Sequence, residues 1–393
     1  MQHTPGTTFG SAALVAGTTV GAGILALPYA TQEAGFVASS AALVVTCAYS
    51  IVTGLLVAEV SVNSMCELGQ GGVSLTSMAE RTLGKPGARF AGATYLFLHY
   101  ALLVAYIAKA GSIVGDAAGV PHAVAAITFA AAFSALCFWA SPRVLDRVNS
   151  ALVVAVVASF LALLALASGG MDSRSLARAN WAAVPATLPV LSLAFVYQNV
   201  VPVIASNLEG DIRKVRTAVV AGVCVPLAMF LAWDAVILGS LGGGGGGAHT
   251  DPLAELAAGS PAVGALIQAF SLLAIATSFI GFVLGLSDFL ADYLKLPAGR
   301  QQVLPYALTV GPPLALALSF PDLFFRALDI AGTYGVLVLF GVLPAAMAYS
   351  ERYGDSTLTR FQVVPGGRAS LVLVGALAGG VIVNQLLAAV TGS

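Results

Sequence analysis

The stretch Ala16-Gly-Thr-Thr-Val-Gly-Ala-Gly-Ile-Leu-Ala-Leu-Pro28 decides how this chain is read. It sits inside a long apolar run, yet it holds Gly17, Gly21, Gly23 and Pro28. Glycine and proline both weaken a helix interior. Irregular backbone at membrane depth is tolerated only where protein or a water-filled cavity satisfies its polar groups. A later apolar run carries Phe195-Val-Tyr-Gln-Asn-Val-Val-Pro202, again polar and proline-bearing at its middle. Paired interruptions in matching places of two halves are a sequence mark of a solute-translocating site.

The rest of the chain explains why these runs belong in a bilayer. Of 393 residues, 58% are hydrophobic and only 9% charged. Mean hydropathy is +0.92. Soluble domains carry about 25% charged residues, so this surface must face lipid. A spanning helix needs about 20 mainly apolar residues. Eleven runs approach that length: 9–33, 36–63, 89–115, 122–140, 145–168, 185–206, 214–240, 262–293, 303–320, 324–349 and 368–391. They are numbered here segments 1 to 11. Ser74 to Leu83 reads as a short amphipathic helix at the surface, and Gly242 to Gly247 as a flexible outer connection. Nothing suggests a separate soluble domain, so residues 1–393 form one transmembrane unit.

Placing the N-terminus inside puts thirteen of the 17 Lys and Arg residues in inner connections, from Arg81 to Arg300, Arg360 and Arg368. Arg174 and Arg178 alone fall in outer connections, while Lys109 and Arg326 lie in or at the ends of segments. This asymmetry fits the positive-inside rule and leaves the C-terminus on the opposite side. The interrupted segments are five apart. An odd-numbered unit, repeated, enters the membrane in the opposite sense. Residues 9–168 and 185–350 are therefore expected to be two inverted repeats, with 368–391 appended. Glu59 and Asp234 agree with this, each a lone carboxylate in the second segment of its half.

Unwinding at Thr18, Thr19, Gly21, Ala22 and Gly23 would free N–H groups for a carboxylate and carbonyls for an ammonium group or cation. Absent side chains at Gly21 and Gly23 would let a ligand approach the backbone. Phe195, Tyr197, Gln198 and Asn199 are expected to line the side-chain pocket, and Tyr106 of segment 3 to reach the ligand carboxylate. Intramembrane carboxylates are costly and usually functional, which marks Glu59 as a proton carrier or a hydrogen-bonded structural group. His99 titrates near neutral pH and is either a proton relay or a packing residue. Asp288 and Asp292 share one helix face, and a gate pairing with Arg213 or Arg216 is open to them. Cys47, Cys66, Cys137 and Cys224 are widely spaced, so no metal site or cofactor is expected. A net charge of −1 gives no reason to expect nucleic acid.

These pieces resemble the tryptophan/tyrosine permease family, the aromatic amino acid permeases of the wider amino acid–polyamine–organocation group. The likeness is carried by the segment 1 stretch, Tyr100-Ala-Leu-Leu-Val-Ala-Tyr106, Glu209-Gly-Asp-Ile-Arg-Lys-Val-Arg216 and Ala276-Thr-Ser-Phe-Ile-Gly-Phe-Val-Leu-Gly-Leu-Ser-Asp288. It implies an all-α LeuT-like fold of 5+5 inverted repeats with eleven transmembrane helices, segments 1 and 6 broken. It also implies symport of tryptophan or tyrosine, by proton coupling in bacterial members, with a broader neutral amino acid range as the alternative. In sodium-coupled transporters of that fold, the positions of Thr277, Ser278 and the carbonyls of Gly17 and Val20 would hold the ion. Leu231-Ala-Trp-Asp-Ala-Val-Ile-Leu238 looks more like plant and algal members, so a plastid envelope stands beside the cell membrane as the expected location. An enzyme is not expected. Gly285-Leu-Ser-Asp288 superficially matches a membrane serine protease motif, but His99 is the single histidine at membrane depth and precedes it. The partners expected are an amino acid and the lipid bilayer; the sequence sets no oligomeric state.

Overall fold

The computed structural model describes residues 6–69, 72–240, 251–296, 302–354, 359 and 361–391. Gly242 to Gly247, Arg300 and Arg360 lie outside the described residues. All regular structure among the described residues is helical. Nine helices among them are long and apolar enough to cross a membrane. The helix Val303–Ser319 of segment 9 is shorter, at 17 residues. Segment 1 is divided into Thr8–Thr19, Ala22–Leu25 and Leu27–Thr31. The chain is a multi-pass helical membrane protein.

Helix starts follow local hydrogen-bond chemistry. Side-chain oxygens of Ser and Asp satisfy N–H groups that an α-helix leaves unpaired. The Ser74 hydroxyl accepts from the Ser77 N–H at 3.2 Å. Asp211 accepts from the N–H groups of Arg213 and Lys214 at 3.0 and 3.2 Å and opens segment 7. The Lys214 backbone bond, more than its ammonium, holds the Asp211 carboxyl below the usual carboxylate range. The run Leu75–Ala118 is bent at Gly84, whose φ of 73° and ψ of −173° suit only glycine. This bend separates a short helix over 75–83 from segment 3.

Packing sorts the segments into two groups. Segment 1 packs on 7, segment 7 on 2, and segment 2 on 6. Segments 3, 4, 8 and 9 form the second group, with 3 against 4, 8 and 9. Segment 5 packs on 8, segment 10 on 3 and 6, and segment 11 on 10. Lipid tails remove the hydrophobic drive between such helices, so small residues that allow close van der Waals contact decide the crossings. At Gly222 a methyl group would sit 2.5 Å from Val15 Cβ, so segments 1 and 7 meet there backbone to backbone.

One end of the molecule is clamped by buried charges. The Arg352 guanidinium donates to both Glu59 oxygens at 2.6 and 2.7 Å. The Val363 and Val364 N–H groups donate to the same carboxylate at 2.7 and 3.2 Å. Arg81 pairs with Glu67 at 2.5 Å and with Glu351, and its Nε donates to Ser64 at 2.7 Å. Asn63 adds bonds to Glu351 and Phe361. Together these tie the end of segment 2, the 75–83 helix, the end of segment 10 and the connection to segment 11.

Candidate functional site

The α-helix of segment 1 stops at Thr19, and the next N–H groups are diverted. Gly21 N–H donates to Thr19 C=O at 3.0 Å, and Ile24 N–H to Gly21 C=O at 3.2 Å. Ala22 N–H leaves its own segment and donates to Ser278 Oγ of segment 8 at 3.1 Å. The carbonyls of Gly17, Thr18 and Val20 thereby lose the donors four residues on that a continuous helix would supply. Gly21 lets segment 8 approach, since a Cβ there would lie 2.9 Å from Ser278 Oγ. Gly23 does the same for segment 6, where a Cβ would lie 3.3 Å from Ala194 Cα. Tyr106 of segment 3 is buried, faces Ser278, and sets its ring 5.8 Å from that of Phe282.

Segment 6 also changes conformation, between the helix Val184–Ala194 and the helix Val201–Asn207. Its carbonyl at Phe195 accepts from Ser50 Oγ of segment 2 at 2.8 Å. The Tyr197 hydroxyl donates to Ser50 C=O at 2.9 Å. Gln198 donates to Ser50 and Thr53 hydroxyls at 3.1 and 3.2 Å and accepts from Tyr197 N–H at 3.0 Å. Gly54 makes room for the Tyr197 ring. Phe195 turns instead to Phe230 of segment 7, with ring centroids 5.2 Å apart. Of the four residues expected at the pocket wall, three are therefore buried against segments 2 and 7, and Asn199 is exposed. Their chemistry holds the interruption in shape from behind. Tyr197→Phe should lower stability by about 1 kcal/mol, the worth of one neutral hydrogen bond, as read by thermal unfolding.

Ser278 abuts the segment 1 interruption, while its neighbour Thr277 spends its proton on Ala274 C=O at 2.9 Å. His99 is buried nearby. Its Nδ1–H donates to Tyr95 C=O at 2.8 Å, and its ring lies between those of Tyr95 and Phe282. Glu59 belongs instead to the charged clamp, held by Arg352, Val363 and Val364. Arg213, Arg216, Asp288 and Asp292 are all exposed. Sequence reasoning missed the supporting hydroxyls of Ser50 and Thr53, because Ser and Thr are frequent in membrane helices and nothing singles these two out. It noted Asp234 but gave it no role. Asp234 is fully buried in segment 7, and neither carboxylate oxygen has a hydrogen-bond partner among the described residues. Thr31 faces it, with the Thr31 proton committed to Leu27 C=O at 2.7 Å.

Exposure differs on the two sides of the interruption. Gly17 is exposed, and Thr18, Val20, Gly21, Thr277 and Ser278 are partly so. Open space lies where a side chain at Gly17 or Gly281 would stand. On the other side, Tyr29 of segment 1 stacks on Phe325 of segment 10 at 4.0 Å and 14°. Lys109 of segment 3 lies 5.5 Å from the Phe325 ring centroid and pairs with Asp251 at 3.3 Å.

A multi-pass helical protein whose segments 1 and 6 are interrupted close to one another, with the segment 1 backbone partly exposed and Gly23 against Ala194, has the makings of a site for a solute within the membrane, the class of protein called permeases. The chain belongs to the tryptophan/tyrosine permease family, whose model matches residues 5–386. It is 31% identical to tyrosine-specific transport system 2 of Haemophilus influenzae, over 93% of each chain. It is 29% identical to the tryptophan-specific transport protein of Pseudomonas aeruginosa, over 93% of this chain and 91% of the relative. It is 28% identical to tyrosine-specific transport system 1 of Haemophilus influenzae, over 96% of each.

Proposed function

We propose that this protein carries tryptophan or tyrosine across a cell membrane together with protons. The observation that carries the reading is the diverted backbone at Thr19 to Ala22, beside Ser278 and Tyr106. The substrate ammonium group meets the carbonyls of Gly17, Thr18 and Val20. Its carboxylate takes the N–H groups at Ala22 and Gly23, one of which Ser278 holds here. Its ring packs toward Tyr106 and Phe282, where aromatic pairs prefer edge or offset contacts. The names of the bacterial relatives support the aromatic class.

The scaffold is a LeuT-like pair of inverted repeats with segments 1 and 6 broken. Support comes from the packing, which repeats when each segment is advanced by five. Segment 1 on 7 is matched by 6 on 2, 3 on 9 by 8 on 4, and 5 on 8 by 10 on 3. The N-terminus lies in the cytoplasm. The exposed side of the interruption is then the inner one, and the Tyr29–Phe325 stack shuts the outer one. This is one of the two states that alternating access requires, and opening the stack while closing the inner side gives the other.

Asp234 is the proton carrier. A carboxyl at membrane depth without a cation beside it is costly as an anion and marks a proton relay. On the elements packed around segment 7, Glu59 and Glu67 are bound to Arg352 and Arg81, while Arg174 and Glu255 are exposed. Glu59, with four donors, serves the clamp. Asp234→Asn should abolish uphill accumulation in proteoliposomes under an inward pH gradient while sparing exchange of labelled for unlabelled tryptophan. Accumulation at the wild-type level in that variant would remove Asp234 from the mechanism. Substrate class is read by competition: tyrosine and phenylalanine should suppress labelled tryptophan exchange, and leucine and glutamine should not. Suppression by all of them alike would replace the aromatic reading with a broad neutral one.

A further inference from the structure

A cavity separate from the segment 1 interruption is lined by the aromatic stack of Tyr29 and Phe325. It has a volume of about 320 Å³ and is bounded by segments 1, 6 and 10. That volume falls at the lower end of the range of about 300–1,000 Å³ usual for small-molecule sites. Ala26, Ala30, Ala186 and Val190 give it an apolar floor. Tyr29 and Phe325, the stacked pair, give it an aromatic wall. Three charged residues also line it: Glu33 from the end of segment 1, and Arg326 and Asp329 from segment 10. Among the described residues these three form no ion pair with one another or with any other group.

Opposite charges that converge on a cavity without neutralising each other suit a ligand that carries both signs. The planar guanidinium of Arg326 matches a carboxylate. Glu33 and Asp329 match an ammonium group. The aromatic wall offers a face to a ring. From this lining we infer that the outer cavity is a second amino acid site, one that takes a zwitterionic aromatic amino acid before the stack opens. The inference rests on the aromatic amino acid reading above. It adds a site whose residues are separate from those at the segment 1 interruption.

This separation makes the site testable by stoichiometry. Purified protein in lipid nanodiscs is titrated with labelled tryptophan and bound ligand is counted per chain. The wild type should bind two molecules. Arg326→Gln, a change at an exposed side chain, should weaken one site by at least about tenfold and leave the other unchanged. Gly21→Val should spare the site that Arg326→Gln weakens. Asp329→Asn should repeat the Arg326→Gln result from the ammonium side. A wild type that binds one tryptophan, with an affinity that Arg326→Gln does not alter, overturns the outer site and leaves the transport reading standing. Loss of all binding in Gly21→Val overturns it as well. No binding of tryptophan or tyrosine by the wild type overturns both together.

Discussion

Tryptophan uptake by a Gly21→Val variant should fall at least about a hundredfold, to background, in a protein that still folds. A misplacement of 1 Å at a working site is enough for a loss of about that size. Here the added atoms enter the space between segments 1 and 8, where even the first carbon would lie 2.9 Å from Ser278 Oγ. Ser278 must then swing away, and it surrenders the Ala22 N–H that it accepts from. Gly21→Ala should be milder, because a hydroxyl at the end of a short side chain can rotate aside. Gly23→Val should be as severe as Gly21→Val, because its obstruction is the Ala194 backbone at 3.3 Å, which cannot rotate away. Size-exclusion elution and the thermal midpoint should stay close to wild type in Gly21→Val, since the neighbouring space is partly open. Wild-type uptake in either valine variant would mean that the substrate does not pass this interruption.

The largest stability effect should come from the charged clamp. Glu59 and Arg352 are buried, and removing one member of a buried ion pair costs about 3–5 kcal/mol. Glu59→Gln leaves the Arg352 guanidinium with neutral acceptors alone: one amide oxygen at position 59 and the carbonyls of Val364 and Gly366. It also weakens the hold on the Val363 and Val364 N–H groups. A large fall in the thermal midpoint is expected, read by intrinsic fluorescence of the detergent-solubilised protein. Glu255→Gln, at an exposed position, serves as the control and should shift little. Replacing both Glu59 and Arg352 by methionine should recover part of the loss, because no unpaired charge is left behind. The same experiment separates two roles for Glu59. A stable Glu59→Gln protein that exchanges tryptophan but does not accumulate it would return Glu59 to proton coupling.

Much of the helical layout was legible because a bilayer imposes a simple length and polarity rule on each segment. Residues 122–140 were expected as a segment and the helix runs His122–Trp139; residues 303–320 were expected and the helix runs Val303–Ser319. The bend at Gly84 was not anticipated, although the short helix before it was. Glycine is so common in membrane helices that one extra copy carries no signal. The candidate site was legible where backbone chemistry governs it. Gly21, Ala22 and Ser278 come together, and composition had flagged the stretch that holds the first two. Side-chain direction was not legible. Tyr197 and Gln198 turn toward Ser50 and Thr53, and that depends on how segments 2 and 6 cross, which periodicity in one segment does not report. Glu59 drew attention as a lone intramembrane carboxylate, but its partners Arg352, Val363 and Val364 lie some three hundred residues away. Asp234 was visible as a carboxylate, whereas the absence of a hydrogen-bond partner for it among the described residues is a property of the packed structure alone.

The most direct test is uptake of labelled tryptophan into sodium-free proteoliposomes with an inward proton gradient. Accumulation above the external concentration that collapses when a protonophore is added is the predicted result. Failure to accumulate tryptophan or tyrosine under a proton gradient, and again after sodium is supplied, would contradict the account.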